Sequence, residues 1–306
     1  MNKQTTSTIL MIRPVNFGFN EQTAGSNAFQ NRGAEQKVQD KALNEFDDFV
    51  NILRENDVGV IVIDDSVEPH TPDSIFPNNW VSFHSDGTVF LYPMMAENRR
   101  LERREDIIMQ LEDDFKIKRV IDLSRYEHEH KFLEGTGSMV LDRENKIAYA
   151  CLSPRTDKEV LDQFCTESGY RSVLFHAVDE SGIDIYHTNV LMCVGSMFVV
   201  ICLDSIKDDA ERKKVIDSIS SSKKQLIPIS FAQMNQFAGN MLEVQNQSGE
   251  SLLVMSKNAW DSLSFEQKTI LSSFSKPVYA DITTIENNGG GSARCMMAEV
   301  HLPRSI

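Results

Sequence analysis

Cysteine is scarce in this 306-residue chain: five residues, Cys151, Cys165, Cys193, Cys202 and Cys295. The count is odd and no paired spacing appears. A disulfide framework is therefore not expected, and a reducing, cytoplasmic setting is. Basic residues are also few: 31 Lys and Arg against 45 Asp and Glu give a formal net charge of −14. That balance argues against nucleic acid and anionic membrane surfaces as partners, since both need a basic footprint. Long apolar runs are missing. The greasiest stretch, VLMCVGSMFVVICL, spans 14 residues and is broken by Gly195 and Ser196. It is too short to cross a bilayer and predicts two buried strands around a tight turn. The opening MNKQTTSTIL lacks the apolar core of a secretory leader. No glycine-rich phosphate loop precedes a helix, so a nucleotide site after NDVGVIVIDD is not expected. YEHEHK sets His128 and His130 around Glu129 as on an alternating strand, but no third ligand is evident. No metal and no cofactor are expected.

What the chain does have is repetition. NWVSFHS, an Asp-Gly turn, TVFLYPM, a helical stretch NRRLERREDIIMQLEDDF and RVIDLS make one unit of strand, turn, strand, helix, strand. The same plan returns from FLEGTGSMVLD to SVLFHAV, from YHTNVLMCV to QLIPIS, and from AGNMLEVQN to PVYADI. Asn79, Glu134, His187, Asn240 and Cys295 occupy matching places at the start of each first strand, at spacings of 55, 53, 53 and 55. Such a fixed period signals an array or a propeller. The fifth unit stops after ARCMMAEVHLP, and its missing parts stand at the other terminus: STILMIR, the helix AEQKVQDKALNEFDDFVNILREN and VGVIVID. The simplest geometry is a closed ring of five units with the N-terminus completing the last, which leaves no open sheet edge. One domain, 1–306, is expected, and the 41% apolar content can fill a substantial core.

In a ring, matching positions face one central space, so Glu134, His187 and Cys295 should converge. A thiolate is the strongest nucleophile a protein carries near neutral pH. A histidine can take its proton and later protonate a leaving group, and a glutamate beside it would raise the histidine pKa and orient the ring. The run Gly289, Gly290 and Gly291 just ahead of Cys295 then reads as the wall of an active site, where the backbone turns closely around the nucleophile.

These residues resemble a known family. GGGSARCM is similar to the nucleophile motif of arginine deiminases and related guanidino-modifying enzymes, a superfamily of five-bladed α/β propellers (penteins). FLEGTGS resembles its Glu-Gly motif, YHTN its histidine motif, PDSIFPNNWV its substrate-binding segment and CLSPRT its Ser-x-Arg-Thr segment. The resemblance implies Cys295 as nucleophile, His187 as general acid/base and Glu134 as partner of the histidine or of a substrate nitrogen. It also implies Asp73 as a substrate-holding carboxylate and Arg155 as the partner of a substrate carboxylate. Asn79 and Asn189 depart from the pattern, because enzymes that grip a guanidinium commonly place aspartate at both positions. Two amides suit a neutral ureido group, which leans towards a citrulline-hydrolase-like branch or a dihydrolase.

The expected activity is hydrolysis of a C–N bond in a small guanidino or ureido amino-acid-like substrate through a covalent thiol adduct. An amidinotransferase using the same triad is one alternative. A non-catalytic propeller used for binding, as in a translation initiation factor, is the other. The oligomeric state stays open, with a homodimer among the options. Residues 16–33 form a long polar loop suited to a lid, with Asn27 and Gln30 as candidate substrate contacts. Trp80 and Phe83 are expected to pack between units, and the charge-rich RRLERRED and DDAERKK to be solvated helix faces.

Overall fold

The computed structural model describes residues 3–25, 27, 29–30 and 37–305. Its strands form five three-stranded sheets among these residues. In each of the four continuous units, a short first strand pairs antiparallel with a second, and a helical segment returns the chain to a third strand parallel to the second. The unit containing Glu134 illustrates why. Val140–Asp142 turns at a polar stretch into Ile147–Cys151, with Val140 opposite Tyr149. The helix Lys158–Ser168 then starts at Asp157, whose side chain accepts the N–H groups of Glu159 and Val160. It buries Val160, Leu161 and Phe164 and ends at Gly169 in the left-handed region. Arg171–Phe175 completes the sheet.

The fifth sheet is assembled from both ends of the chain. Ala298–Glu299 pairs antiparallel with Thr8–Arg13, which pairs parallel with Gly59–Asp64. The helix between the two N-terminal strands runs Val38–Glu55 and buries Phe46, Phe49, Val50 and Leu53. The expected helix start at residues 34–36 lies outside the described residues. VLMCVGSMFVVICL forms the expected hairpin, Met192–Val194 with Phe198–Ile201, fully buried. Trp80 and Phe83 are buried with Ile12, Val300 and Leu302 of the fifth unit.

The stretch expected as one helix over NRRLERREDIIMQLEDDF is instead two, Glu97–Arg100 and Glu105–Glu112. YEHEHK lies in a 3-10 segment, Ser124–Glu129, closed by His130 in the left-handed region, rather than on a strand. First strands of neighbouring units lie beside one another: Val140–Asp142 against Met192–Val194, Met192–Val194 against Leu242–Gln245, and Ala298–Glu299 against Val81–Phe83. Three of these first strands follow short helical turns, Pro77–Asn79, Gly135–Ser138 and Thr188–Leu191, the middle one packed between the other two. This packing gathers the equivalent positions. No helix among the described residues is long and apolar enough to cross a membrane.

Candidate active site

Glu134 immediately precedes the turn Gly135–Ser138, and its backbone N–H is held by Ser138 Oγ at 2.9 Å. Its side chain is fully buried. Oε1 accepts the N–H of Met95 at 3.0 Å, and Oε2 meets His187 Nε2 at 2.7 Å. Arg155 Nη1 stands 3.5 Å from Oε2 and Arg99 Nη1 3.9 Å. Burial alone would raise this carboxyl, but Arg155, His187 and Arg99 together hold it well below the usual carboxylate range. An ionised carboxylate only accepts hydrogen bonds, so His187 Nε2 carries the proton and Nδ1 is the basic nitrogen of the neutral ring.

Glu134 pushes the His187 pKa up, as expected, but burial, with Arg155 and Arg99, outweighs that and brings it down to about 4. His187 is therefore a neutral base at pH 7. Gly137 makes room for this arrangement: a Cβ there would come within 2.8 Å of His187 Nδ1 and 2.4 Å of Asn79 Nδ2.

Cys295 is buried, with its N–H donated to Ser292 O at 2.9 Å. Two side-chain amides reach its sulfur, Asn240 Nδ2 at 3.2 Å and Asn189 Nδ2 at 3.4 Å. His187 and Cys295 line one small cavity with Asn27, Asp73, Phe76, Asn79, Arg99, Arg155, Tyr186 and the three glycines. The glycine run is explained by close approach. A Cβ on Gly289 or Gly291 would press within 2.9 Å of the Phe76 ring, and one on Gly290, at φ +65°, would strike Asn27 at 2.5 Å. Gly290 ends the helix Thr283–Gly289, and its carbonyl accepts the Tyr186 hydroxyl at 2.6 Å. Ser292 Oγ is tied to Glu286 at 2.6 Å, which ties this loop to that helix. The cavity holds ~20 Å³, room for about one water molecule.

Asp73 Oδ2 accepts from Asn20 Nδ2 at 2.7 Å, while Oδ1 is buried without a hydrogen bond. Burial raises the Asp73 pKa against the pull of Arg99, Asn20 and Arg155. Asn79 Oδ1 takes Arg99 Nη1 at 2.9 Å, and its Nδ2 is buried and unsatisfied. Asn189 gives its Nδ2 to the sulfur, and its Oδ1 is buried and unsatisfied. Each asparagine thus has one end committed within the protein. Arg155 donates to Thr23 O at 3.3 Å and lies over the Tyr186 ring, 4.9 Å from its centroid. Of the loop 16–33, Asn27 donates to Gly289 O at 3.3 Å and Gln30 Oε1 accepts from Thr23 at 2.9 Å. Positions 26, 28 and 31–33 of that loop lie outside the described residues.

All seven residues singled out from the sequence therefore lie in or beside one cavity, and others join them. Arg99 corrects the reading of RRLERRED as a solvated face. It is buried, forms a bidentate pair with Glu102 at 2.9 Å and lies 3.8 Å from Asp73. Nothing in a mixed charge run distinguishes the one arginine that turns inward. Asn240 shares the phase of the repeat, but an asparagine there carries no chemical signal by itself. Tyr186 stands next to the histidine of YHTN with no sequence signal of its own.

Five three-stranded sheets with these residues gathered at their entry turns define the class: the guanidino-group-modifying superfamily. Solved structures agree in fold. The N-terminal domain of ArgZ, an arginine dihydrolase from the Ornithine-Ammonia Cycle in Cyanobacteria, has a TM-score of 0.76 at 18% identity, covering 97% of this chain and 98% of that one. AgrE, solved with L-arginine, gives 0.76 at 18% identity over 97% of this chain and 40% of its own. DDAH from Pseudomonas aeruginosa, solved with citrulline, gives 0.64 at 14% identity over 98% and 99%. The chain belongs to the family of N,N dimethylarginine dimethylhydrolase, eukaryotic, whose model matches residues 13–302. The family is one of hydrolases acting on C–N bonds other than peptide bonds. No curated protein sequence matches the chain.

Proposed function

We propose that this protein hydrolyses a C–N bond of a guanidino amino acid, with an arginine-like compound carrying an alkylated guanidinium as the substrate class, and releases an amine and a ureido product. The observation that carries the reading is a pair of buried acceptors without partners, Asp73 Oδ1 and Asn189 Oδ1, around the cavity that holds Cys295 and His187. Leaving such atoms unsatisfied costs about 1–3 kcal/mol each. A guanidinium has only N–H groups to offer and would satisfy both.

His187 takes the proton of the Cys295 thiol, and the sulfur adds to the central carbon of the guanidinium. The C–N bond to the alkylated nitrogen breaks, and the departing amine receives that proton from His187. The product of this half-reaction is a cationic thiouronium adduct on Cys295. Water then adds to the same carbon, giving one proton to His187. The C–S bond breaks, the thiol is restored, and a ureido product and one proton leave. Glu134 holds the His187 ring in the tautomer this relay needs. Arg155 supports the carboxylate end of the substrate, with Asp73 and Asn189 on its N–H groups. The five sheets form one five-bladed α/β propeller over residues 1–306, with the site at its centre.

A second reading extends the reaction to the ureido product. It is favoured by Asn79 Nδ2, an unsatisfied buried donor suited to a ureido oxygen. The test is a panel of arginine, methylated arginines, agmatine and citrulline, scored for ammonia, amine and ureido products in the protein and in Cys295→Ala. Methylated arginine should yield amine and a ureido compound, and Cys295→Ala should yield neither. Release of ammonia from citrulline would select the second reading. A fully active Cys295→Ala would end both.

A further inference from the structure

Among the five equivalent positions, Asn240 lies outside the mechanism above, yet it touches the reacting atom. We propose that Asn240 is a catalytic residue whose amide N–H stabilises the Cys295 thiolate, with Asn189 as the second donor of a two-amide cradle. The inference deepens the reading of Cys295 as nucleophile and rests on it.

The amide's orientation is fixed by the backbone around it. Asn240 Oδ1 accepts the N–H of Arg294 at 3.0 Å, so the other end of the side chain is the NH2 group. That group has two N–H bonds. One goes to the carbonyl of Asn189 at 2.9 Å and the other to Cys295 Sγ at 3.2 Å. Asn240 is fully buried, so water does not compete for either. The side chain therefore bridges three parts of the site: the backbone of Asn189, which is the second donor, the residue before the nucleophile, and the sulfur itself. A thiolate accepts hydrogen bonds and a thiol accepts them weakly, so donors aimed at sulfur favour the charged form. The amides act alongside His187, which takes the thiol proton while its Nε2 stays on Glu134 at 2.7 Å. The cradle also fits the chemistry as it proceeds. The N–H groups act on the attacking sulfur and again when the C–S bond breaks, without donating a proton to either step.

The test reads the thiol, not turnover. The pH dependence of alkylation of Cys295 by iodoacetamide is measured by peptide mapping in wild type, Asn240→Ser, Asn240→Ala and Asn240→Asp. The midpoint of each profile is compared, because the plateau also responds to access. Loss of one charge-assisted donor should move the midpoint of Asn240→Ala to higher pH by about one unit, a roughly tenfold lower rate near neutrality. Asn240→Ser keeps a hydroxyl donor and should move less. Asn240→Asp keeps the acceptor for Arg294 but places a carboxylate at the sulfur, and should move most. A merely structural role moves melting temperature without this order. A folded variant of the three with the wild-type midpoint overturns the proposal, and so does Asn240→Asp shifting to lower pH. If wild type processes no guanidino compound yet the ordered shifts appear, the proposed function fails and the cradle stands.

Discussion

Two buried clusters in this molecule are built from the same residue types: one glutamate, two arginines and one histidine. In the first, Glu134 has His187 at 2.7 Å, with Arg155 and Arg99 held off at 3.5 and 3.9 Å. In the second, Glu299 has Arg294 at 2.8 Å, Arg143 at 3.2 Å and His301 at 3.3 Å. Burial works against charge in both histidines, and each is lowered to about 4. Both glutamates are held below the usual range by their arginines.

The difference lies in which atoms remain unsatisfied: among the described residues the second cluster leaves one donor, Arg143 Nη2, and no acceptor without a partner. Glu299 is closed by its two arginines, and its cluster ties Arg143 on the second unit to Arg294 and the last strand. Around Glu134 the histidine takes the closest place, and Asp73, Asn79 and Asn189 each keep a buried polar atom without a partner beside a cysteine. Residue type and burial alone do not separate a structural cluster from a reactive one. Open hydrogen-bonding capacity next to a nucleophile does.

Paired substitutions give the largest effect on this contrast. Glu299→Gln leaves two buried guanidiniums without their carboxylate and should cost about 3–5 kcal/mol of unfolding free energy in urea titration. Glu134→Gln should cost less, because Arg99 keeps Glu102 and Arg155 keeps Thr23 and Tyr186. It should instead lower kcat by about a hundredfold or more, as loss of an oriented general base does. If Glu134→Gln proved the less stable of the two and fully active, the contrast would collapse.

Thiol labelling offers a smaller but cleaner distinction. Burial pushes Cys151 and Cys193 up to about 12, and Cys165 and Cys202 up to about 11. All four should stay unlabelled during brief exposure near neutral pH, while Cys295, with two amides on its sulfur, reacts first. Preferential labelling of any of the four would count against the site.

The smallest effect separates the two histidines by pH. Each is buried neutral, with a folded pKa near 4 against an ordinary 6.5. The stability each contributes is complete above pH 6.5 and declines as pH falls from there towards 4, where the unfolded chain binds more protons. His301→Asn should therefore flatten the fall of melting temperature on acidification without moving the acid limb of kcat/KM. That limb belongs to His187 and should lie below pH 6.5. An acid limb that moved with His301→Asn would mean the two clusters are coupled.

Much of the fold was legible from local signals. Hairpins and the recurrence of a first strand every 53 to 55 residues depend on short-range preferences that the residues carry themselves. The shared phase of Asn79, Glu134, His187, Asn240 and Cys295 followed from that recurrence, and it placed the candidate site before any contact was known. What it could not determine was the fate of each charge. Arg99 looks like its neighbours in RRLERRED, and Glu299 in AEVHLP shows nothing of Arg143, which is 156 positions away. Whether a buried glutamate is sealed by arginines or left to orient a histidine depends on which side chains converge on it across units. Electrostatic energy in a dry interior varies over distances of an ångström or so. A repeat sets the position of each strand, but only the packed tertiary structure sets those distances.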